Sequence, residues 1–176
     1  MKELPPLPRP PDPQKQLQGL RSRARGVAFE ERLQRSFDYY NERGFALIYK
    51  TPEPFKIIKR LEHTRFIGCF VKRAQPDYQG TIKGGRTVVF EAKYTDADRL
   101  HQDAVNEEQE KFMDRKTALG ARCYVIAGFR NGSVYRIPWP DWKDMKRLFG
   151  HKYVTEAQIE KYRVKQAWND TLMLLE

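Results

Sequence analysis

Apolar positions recur at helical spacing from Gln14 to Arg43. Leu20, Ala24, Val27, Leu33, Phe37 and Tyr40 fall near a 3.6-residue period, and Gly44 stands where a left-handed residue ends a helix. A short apolar run, Phe45 to Tyr49, predicts a buried strand, broken by Thr51-Pro52-Glu53-Pro54. From 55 to 75 the pattern changes. Phe55, Ile57, Ile58, Leu61, Phe66, Ile67 and Phe70 are interleaved with Lys56, Lys59, Arg60, His63, Arg65, Lys72 and Arg73. This mixture suits a projecting ribbon that packs on one side and meets a polyanion on the other, although a ribbon whose charges merely face water has the same composition. Val88 to Tyr94 reads as a strand rich in β-branched and aromatic residues, preceded by a Gly84-Gly85 turn. Asp96 to Leu119 reads as a helix closed by Gly120. Arg122 to Phe129 and Ser133 to Ile137 read as strands joined at Asn131-Gly132. Pro138-Trp139-Pro140-Asp141 opens a short helix to about Phe149, and a last helix follows Thr155 with Glu156 in its first turn. The order predicts an α/β fold, a mixed sheet flanked by helices.

The chain of 176 residues is long enough to bury one core. Residues 1–15 form a Pro-rich tail, expected to be extended, and residues 16–176 form a single domain. No apolar run approaches the ~20 residues of a membrane span, so no membrane partner is expected. Cys69 and Cys123 both sit in apolar runs and read as small core or interface residues of a reduced, cytoplasmic protein. His63, His101 and His151 lack zinc-ligand spacing.

Charge sharpens the picture. The net charge of +10 points to a polyanionic partner. Residues 1–75 hold 16 Lys and Arg against 8 Asp and Glu, whereas residues 76–176 hold 17 against 15. The first part therefore carries the basic surface, with Arg21, Arg23 and Arg25 along the first helix. The acids that a cation site needs lie in the second part.

Residues 76–95 carry the candidate chemistry. Side chains alternate along a strand, so Glu91 and Lys93 share one face while Phe90, Ala92 and Tyr94 share the other. Hard cations such as magnesium take oxygen ligands and keep several waters. Asp77 and Glu91 can supply oxygens, and Lys93 can orient water and offset charge on a phosphate. A surface strand with one Glu and one Lys is also ordinary. Register provides a test. A two-residue Gly84-Gly85 turn would pair Asp77 with Ala92, on the wrong face. A shared site needs Asp77 opposite Glu91, hence an odd loop such as Lys83-Gly84-Gly85 or a bulge near Gly80.

Taken together, Gly26-x-x-Phe29-Glu30, Thr51-Pro52, Asp77-Tyr78-x-Gly80, Phe90-Glu91-Ala92-Lys93-x-Thr95 and the later Gln109 resemble, in order and spacing, the RecU family of Holliday-junction resolvases, in the PD-(D/E)xK restriction-endonuclease-like superfamily. The likeness runs from about Gly26 to Pro138. It implies a homodimeric, magnesium-dependent endonuclease that cuts four-way DNA junctions in recombination and repair, with manganese as an alternative metal. It also implies a bacterial or phage protein working in the bacterial cytoplasm, with a recombinase as a further candidate partner. The segment 53–75 would be a stalk entering the junction. The metal carboxylates would be Asp77 and Glu91, the catalytic lysine Lys93, the helix glutamate Glu30 and the glutamine near the scissile phosphate Gln109. Helical phase favours Glu30 over its neighbour Glu31. The expected DNA contacts are Arg21, Arg23, Arg25, Lys56, Lys59, Arg60, Arg65, Lys72 and Arg73. Gln75-Pro76 before the aspartate and Glu108 before Gln109 depart from the family pattern. A nickase or exonuclease of the same superfamily, or a non-catalytic junction-binding accessory protein, would fit many of the same residues. The set Asp77, Glu91 and Lys93 speaks against a pure binder, which has no need of acids facing phosphate.

Overall fold

The computed structural model describes residues 12–52, 54–63, 65–70, 75–167 and 169–176. Most of the Pro-rich tail, and the basic residues Lys72 and Arg73, lie outside them.

Helix α1 runs Pro13–Glu42. It starts inside the expected tail because Asp12 caps it, accepting from the Gln14 N–H, with Pro13 in the first turn. Gly44, at φ 67°, ends it as expected. Only its second half is core. Phe29, Leu33, Phe37 and Tyr40 are buried, whereas Leu20 and Val27 are 61% and 57% exposed despite matching the same period. The apolar residues of the first half join neither core among the described residues, and the contact made there is polar, Arg25 with Asp96.

A five-stranded mixed sheet follows, in the order β1 (Ala46–Lys50), β4 (Tyr78–Ile82), β5 (Thr87–Thr95), β7 (Arg122–Phe129), β8 (Val134–Pro138). Only β5 and β7 pair parallel; the other neighbours are antiparallel. Alternation along the strands builds two cores. One face packs Ile48, Tyr78, Val88, Phe90 and Ile126 against α1, with Leu172 and Leu174. The other packs Val89, Val125 and Ala127 against Met113, Trp139, Trp142 and Met145. These belong to helices α2 (Glu107–Ala118), α3 (Trp139–Lys143) and α4 (Met145–Phe149). The sequence order and the layers match the α/β expectation.

Between β1 and β4 the chain leaves the sheet as a separate antiparallel hairpin, β2 (Phe55–Arg60) with β3 (Phe66–Phe70), irregular between Ile57 and Lys59. Every residue of β2 is exposed. Cys69, expected in a core or interface, is exposed on this hairpin, while Cys123 is buried.

Two helix expectations are corrected. Residues 96–106 are not helical throughout: Leu100–His101 form β6, paired with β9 (Tyr153–Val154), and Gln102–Ala104 form one 3-10 turn. Gln102 therefore does not share a helix face with Gln109; its amide donates to the Trp142 and Lys143 carbonyls. The final helix after Thr155 is 3-10, over Glu156–Tyr162, behind a Thr155 capping box.

Candidate active site

The β4–β5 connection decides what meets what. Tyr78 pairs with Phe90, Gln79 with Val89, Gly80 with Val88 and Thr81 with Thr87. Ile82 N–H donates to the Arg86 carbonyl, leaving a three-residue loop Lys83-Gly84-Gly85, with the glycines at φ 94° and 83°. This is the odd loop that the register argument requires. One step further along the same register, Asp77 stands opposite Glu91. The β4 strand lies so close to β1 that a Cβ at Gly80 would sit 2.0 Å from the Leu47 carbonyl oxygen and 2.6 Å from the Ile48 Cα. The glycine of the Asp77-Tyr78-x-Gly80 motif thus has a packing reason: any side chain there would push β4 away from β1.

Glu91 points to the α2 face and is fully buried. Its Oε1 accepts from Lys93 Nζ at 2.6 Å and from Gln109 Nε2 at 2.7 Å. Its Oε2 is buried and makes no hydrogen bond of normal geometry among the described residues, while the Asp77 backbone N–H lies near enough to the carboxylate to favour its charged form. Burial pushes the Glu91 carboxyl up to about 7; the Asp77 charge adds to this and Lys93 opposes it. Asp77 Oδ2 accepts from the Ala92 N–H at 2.8 Å, and the Asp77 carbonyl accepts from Thr51 N–H at 2.8 Å. Burial raises the Asp77 carboxyl too, against the pull of the Ala92 N–H, Lys93 and Lys50.

Glu30 stands beside this group rather than in it. Its Oε2 accepts from Lys50 Nζ at 2.7 Å, its carbonyl accepts from the Tyr78 hydroxyl at 3.1 Å, and its charge raises Asp77. Glu31 is exposed. Glu30 is thus the less exposed of the two acids, as helical phase expects, although Val27, one of the anchors of that phase, is exposed.

The structure brings Asp77, Glu91, Lys93 and Gln109 together, with Glu30 linked through Lys50. The basic residues lie apart from this cluster. Lys56, Lys59, Arg60 and Arg65 are exposed on the β2–β3 hairpin, and Arg21 and Arg23 are exposed on α1. Arg25 is already engaged, its guanidinium 2.6 Å from Asp96.

Two neighbours of the site escaped the sequence reading. Lys50 ends β1, and only the fold reveals that it faces Glu30. Asn106 carried a readable signal: Asn106-x-x-Gln109 is a capping box, with Asn106 Oδ1 accepting from the Gln109 N–H and Gln109 Oε1 from the Asn106 N–H.

Among the described residues no group of three or more His, Cys, Asp and Glu is arranged to hold a metal ion. The donor set at Asp77 and Glu91 nevertheless fits a hard cation that keeps most of its waters. Two adjacent carboxylates, Glu91 buried and Asp77 half-buried, repel, and one of their oxygens, Glu91 Oε2, is desolvated without a hydrogen-bond partner among the described residues. A buried polar atom left bare is costly, and a cation would relieve both penalties.

The chain is similar to several known proteins. The family model described as "Recombination protein U" (RecU) matches residues 24–174. The Holliday junction resolvase RecU of Geobacillus thermodenitrificans (strain NG80-2) is 31% identical over 150 residues, which cover 78% of this chain and 73% of that protein. The protein of the same name from Geobacillus sp. (strain WCH70) is 29% identical with the same coverage. A solved structure of Archaeoglobus fulgidus Hjc, a Holliday junction resolvase, aligns with a TM-score of 0.45 at 16% identity, over 74% of this chain and 92% of that one.

Proposed function

Because this chain belongs to the RecU family, we propose that it is a metal-dependent endonuclease that cuts four-way DNA junctions, with Asp77, Glu91 and Lys93 as its chemical centre. The observation that carries the reading is the cross-strand pair Asp77–Glu91, with an unsatisfied carboxylate oxygen at Glu91 and a lysine on the same strand face. We assign magnesium to the pair, with manganese as a substitute. Asp77 and Glu91 would hold it, and the bound metal supplies Lewis-acid stabilisation of the phosphate and its leaving oxygen. Lys93 projects beside Glu91 with its side chain 21% exposed, so its ammonium can reach solvent, orient water and offset phosphate charge. Gln109 holds Glu91 in place, and Glu30 with Lys50 tunes the charge at Asp77.

We assign DNA contact to Lys56, Lys59, Arg60 and Arg65 on the projecting hairpin and to Arg21 and Arg23 on α1. Arg25, Lys72 and Arg73 belong to the same proposed set. Arg25 would have to exchange Asp96 for phosphate. The hairpin's exposed apolar residues, Phe55, Ile57, Ile58, Phe66 and Ile67, suit contact with unstacked bases at a branch point.

Symmetric cutting of opposed strands needs two centres, and one chain holds one. A twofold homodimer supplies them. The exposed apolar row of Phe45, just before the edge strand β1, and Leu47 and Tyr49 on it supports such an association. A recombinase is a further expected partner, given the family's description as a recombination protein. Among the described residues no helix is long and apolar enough to cross a membrane, and we assign the protein to the bacterial cytoplasm.

The test is cleavage of a labelled mobile four-way junction beside linear duplex and single strand, with magnesium or with chelator. The proposal expects paired symmetric nicks in the junction only, and none with chelator. Equal cutting of linear duplex would favour a general nuclease of the same superfamily. Tight junction binding with no cutting under any divalent metal would favour an accessory binder.

A further inference from the structure

We propose that Asn106 is a positioning residue for metal binding, acting on Glu91 through the orientation of the Gln109 amide. The inference rests on the reading of Asp77 and Glu91 as the metal-holding pair. The two oxygens of Glu91 are treated very differently. Lys93 Nζ and Gln109 Nε2 both donate to Oε1, at 2.6 and 2.7 Å, and Oε2 makes no hydrogen bond of normal geometry among the described residues.

That asymmetry depends on which way round the Gln109 amide sits. A glutamine amide has an acceptor end and a donor end, and either can point at a neighbour. Here the Asn106 N–H donates to Gln109 Oε1 at 3.2 Å, so the amino end must face Glu91. The Asn106 side chain closes the loop, with Oδ1 accepting from the Gln109 N–H at 3.0 Å. The first turn of α2 is fixed at its base, directly under the donor that pins Glu91. The rest of that turn is Glu107, Glu108 and Glu110, none of which can donate to a carboxylate in its ionised form. Gln109 is the residue of that turn whose side chain donates to Glu91; the Asn106 backbone N–H sets the direction of its amide, and the Asn106 side chain holds the Gln109 backbone in place for that contact.

Without Asn106 Oδ1 the Gln109 N–H loses its acceptor, and the Gln109 side chain becomes free to swing even where the helix itself holds. Its amino group can then reach Oε2, where it competes with a cation for the same lone pairs. Groups that orient metal ligands in this way typically change metal affinity by about 10- to 100-fold when removed. The sequence carries the signal only as a helix start, and nothing in a capping box by itself announces a role at a metal.

The experiment is manganese binding to the DNA-free, full-length protein by titration calorimetry. The samples are wild type, Asn106→Ala, Asn106→Gly, Asn106→Ser and Glu91→Gln. Asn106→Gly is included because glycine is tolerated at this helix position while lacking the side-chain acceptor. Expected results are a manganese affinity at least about tenfold weaker for Asn106→Ala and Asn106→Gly. Asn106→Ser, which keeps a capping oxygen, should stay within about twofold of wild type. Should Asn106→Ala not fold, Asn106→Gly decides alone. A lower melting temperature with unchanged manganese affinity in both variants overturns the inference, leaving Asn106 as a helix cap only. Glu91→Gln separates the two layers. If Glu91→Gln binds manganese like wild type, the metal reading of the site fails and this inference fails with it. If Glu91→Gln loses binding while Asn106→Ala and Asn106→Gly keep it, only the role of Asn106 fails.

Discussion

Two antiparallel hairpins stand close together in this chain, β2–β3 and β4–β5, and they differ in almost every physical respect. In β4–β5 the central residues Tyr78, Val88, Val89, Phe90 and Glu91 are buried, α1 covers one face, and α2 bears on the other through Gln109. Its register is fixed by a three-residue glycine loop and by β1 and β7 on either side. In β2–β3 all of β2 is exposed, the pairing slips between Ile57 and Lys59, and among the described residues the strands join no other sheet. Metal chemistry on phosphate needs ligands held to fractions of an ångström, and the chain places its carboxylates where packing leaves no freedom. Recognition of branched DNA tolerates, and gains from, a segment held only by its own pairs. The division of labour we propose therefore follows the division of packing.

The largest expected effect comes from the buried hairpin. Glu91→Gln should lower single-turnover junction cleavage by on the order of a thousandfold or more, since metal stabilisation contributes several kcal/mol and each 1.4 kcal/mol is about tenfold. Junction affinity should change by less than about threefold, because binding rests on basic surface elsewhere. A comparable loss of binding, measured by gel shift, would erase the contrast between the hairpins.

Next comes the exposed hairpin. Lys56→Ala with Lys59→Ala and Arg60→Ala should leave the melting temperature almost unchanged, as exposed substitutions do. Each phosphate contact contributes about −0.9 to the slope of log affinity against log salt, so the slope should flatten by up to about 2.7. Preference for the junction over linear duplex should fall. An unchanged slope across a salt series would remove these side chains from the DNA interface.

The same contrast explains what could be read from the sequence. Val88 to Tyr94 was legible because β-branched and aromatic residues flank the charges, whereas counting across Gly84-Gly85 left Asp77 opposite Ala92 or Glu91 according to the loop length, which only the fold supplies. The stretch 96–106 was not legible. Residues 96–106 hold no Gly or Pro to interrupt a helix, but Leu100 answers to Val154, more than fifty residues away, and no local pattern reports such a pairing. Leu20 and Val27 fit the helical period yet are exposed, because periodicity shows a face without showing what covers it. Cys69 lies outside the core for a similar reason: its apolar neighbours Phe66 and Ile67 are themselves exposed. In the site, the identities of Asp77, Glu91, Lys93, Glu30 and Gln109 rested on spacing and resemblance. Lys50 and the free oxygen of Glu91 emerge only from the fold.

Smaller effects concern stability without metal. Glu91 titrates near 7 in the folded protein against an ordinary value of 4.5. Between those values the folded state holds a proton that the unfolded state has lost. Stability from this group therefore falls as pH rises from about 4.5 to 7 and stays lost above, by up to about 3 kcal/mol. Asp77, also raised, acts in the same direction. With chelator present, Glu91→Gln should thus melt several degrees above wild type at pH 8 and within a degree or so at pH 4. Thermal scans showing no pH-dependent gap would mean that Glu91 is not held as a strained buried acid. Smaller still, Gly85→Ala should cost about 1 kcal/mol, since φ 83° is disfavoured with a Cβ. The substituted side chain itself meets nothing within 4 Å, so no steric clash adds to this cost. A melt identical to wild type would show that the loop does not hold the register.

One measurement places both hairpins in a single tube. Wild type, Asp77→Asn and the Lys56/Lys59/Arg60 alanine triple variant are each titrated onto a labelled mobile four-way junction with magnesium, and single-turnover cleavage is followed to saturating protein. Asp77→Asn should bind the junction at wild-type concentrations and give no product. The triple variant should need more protein to bind but, once bound, cut at close to the wild-type rate. Cleavage by Asp77→Asn near the wild-type rate, or a triple variant that binds normally yet fails to cut, would contradict the assignment of chemistry to one hairpin and recognition to the other.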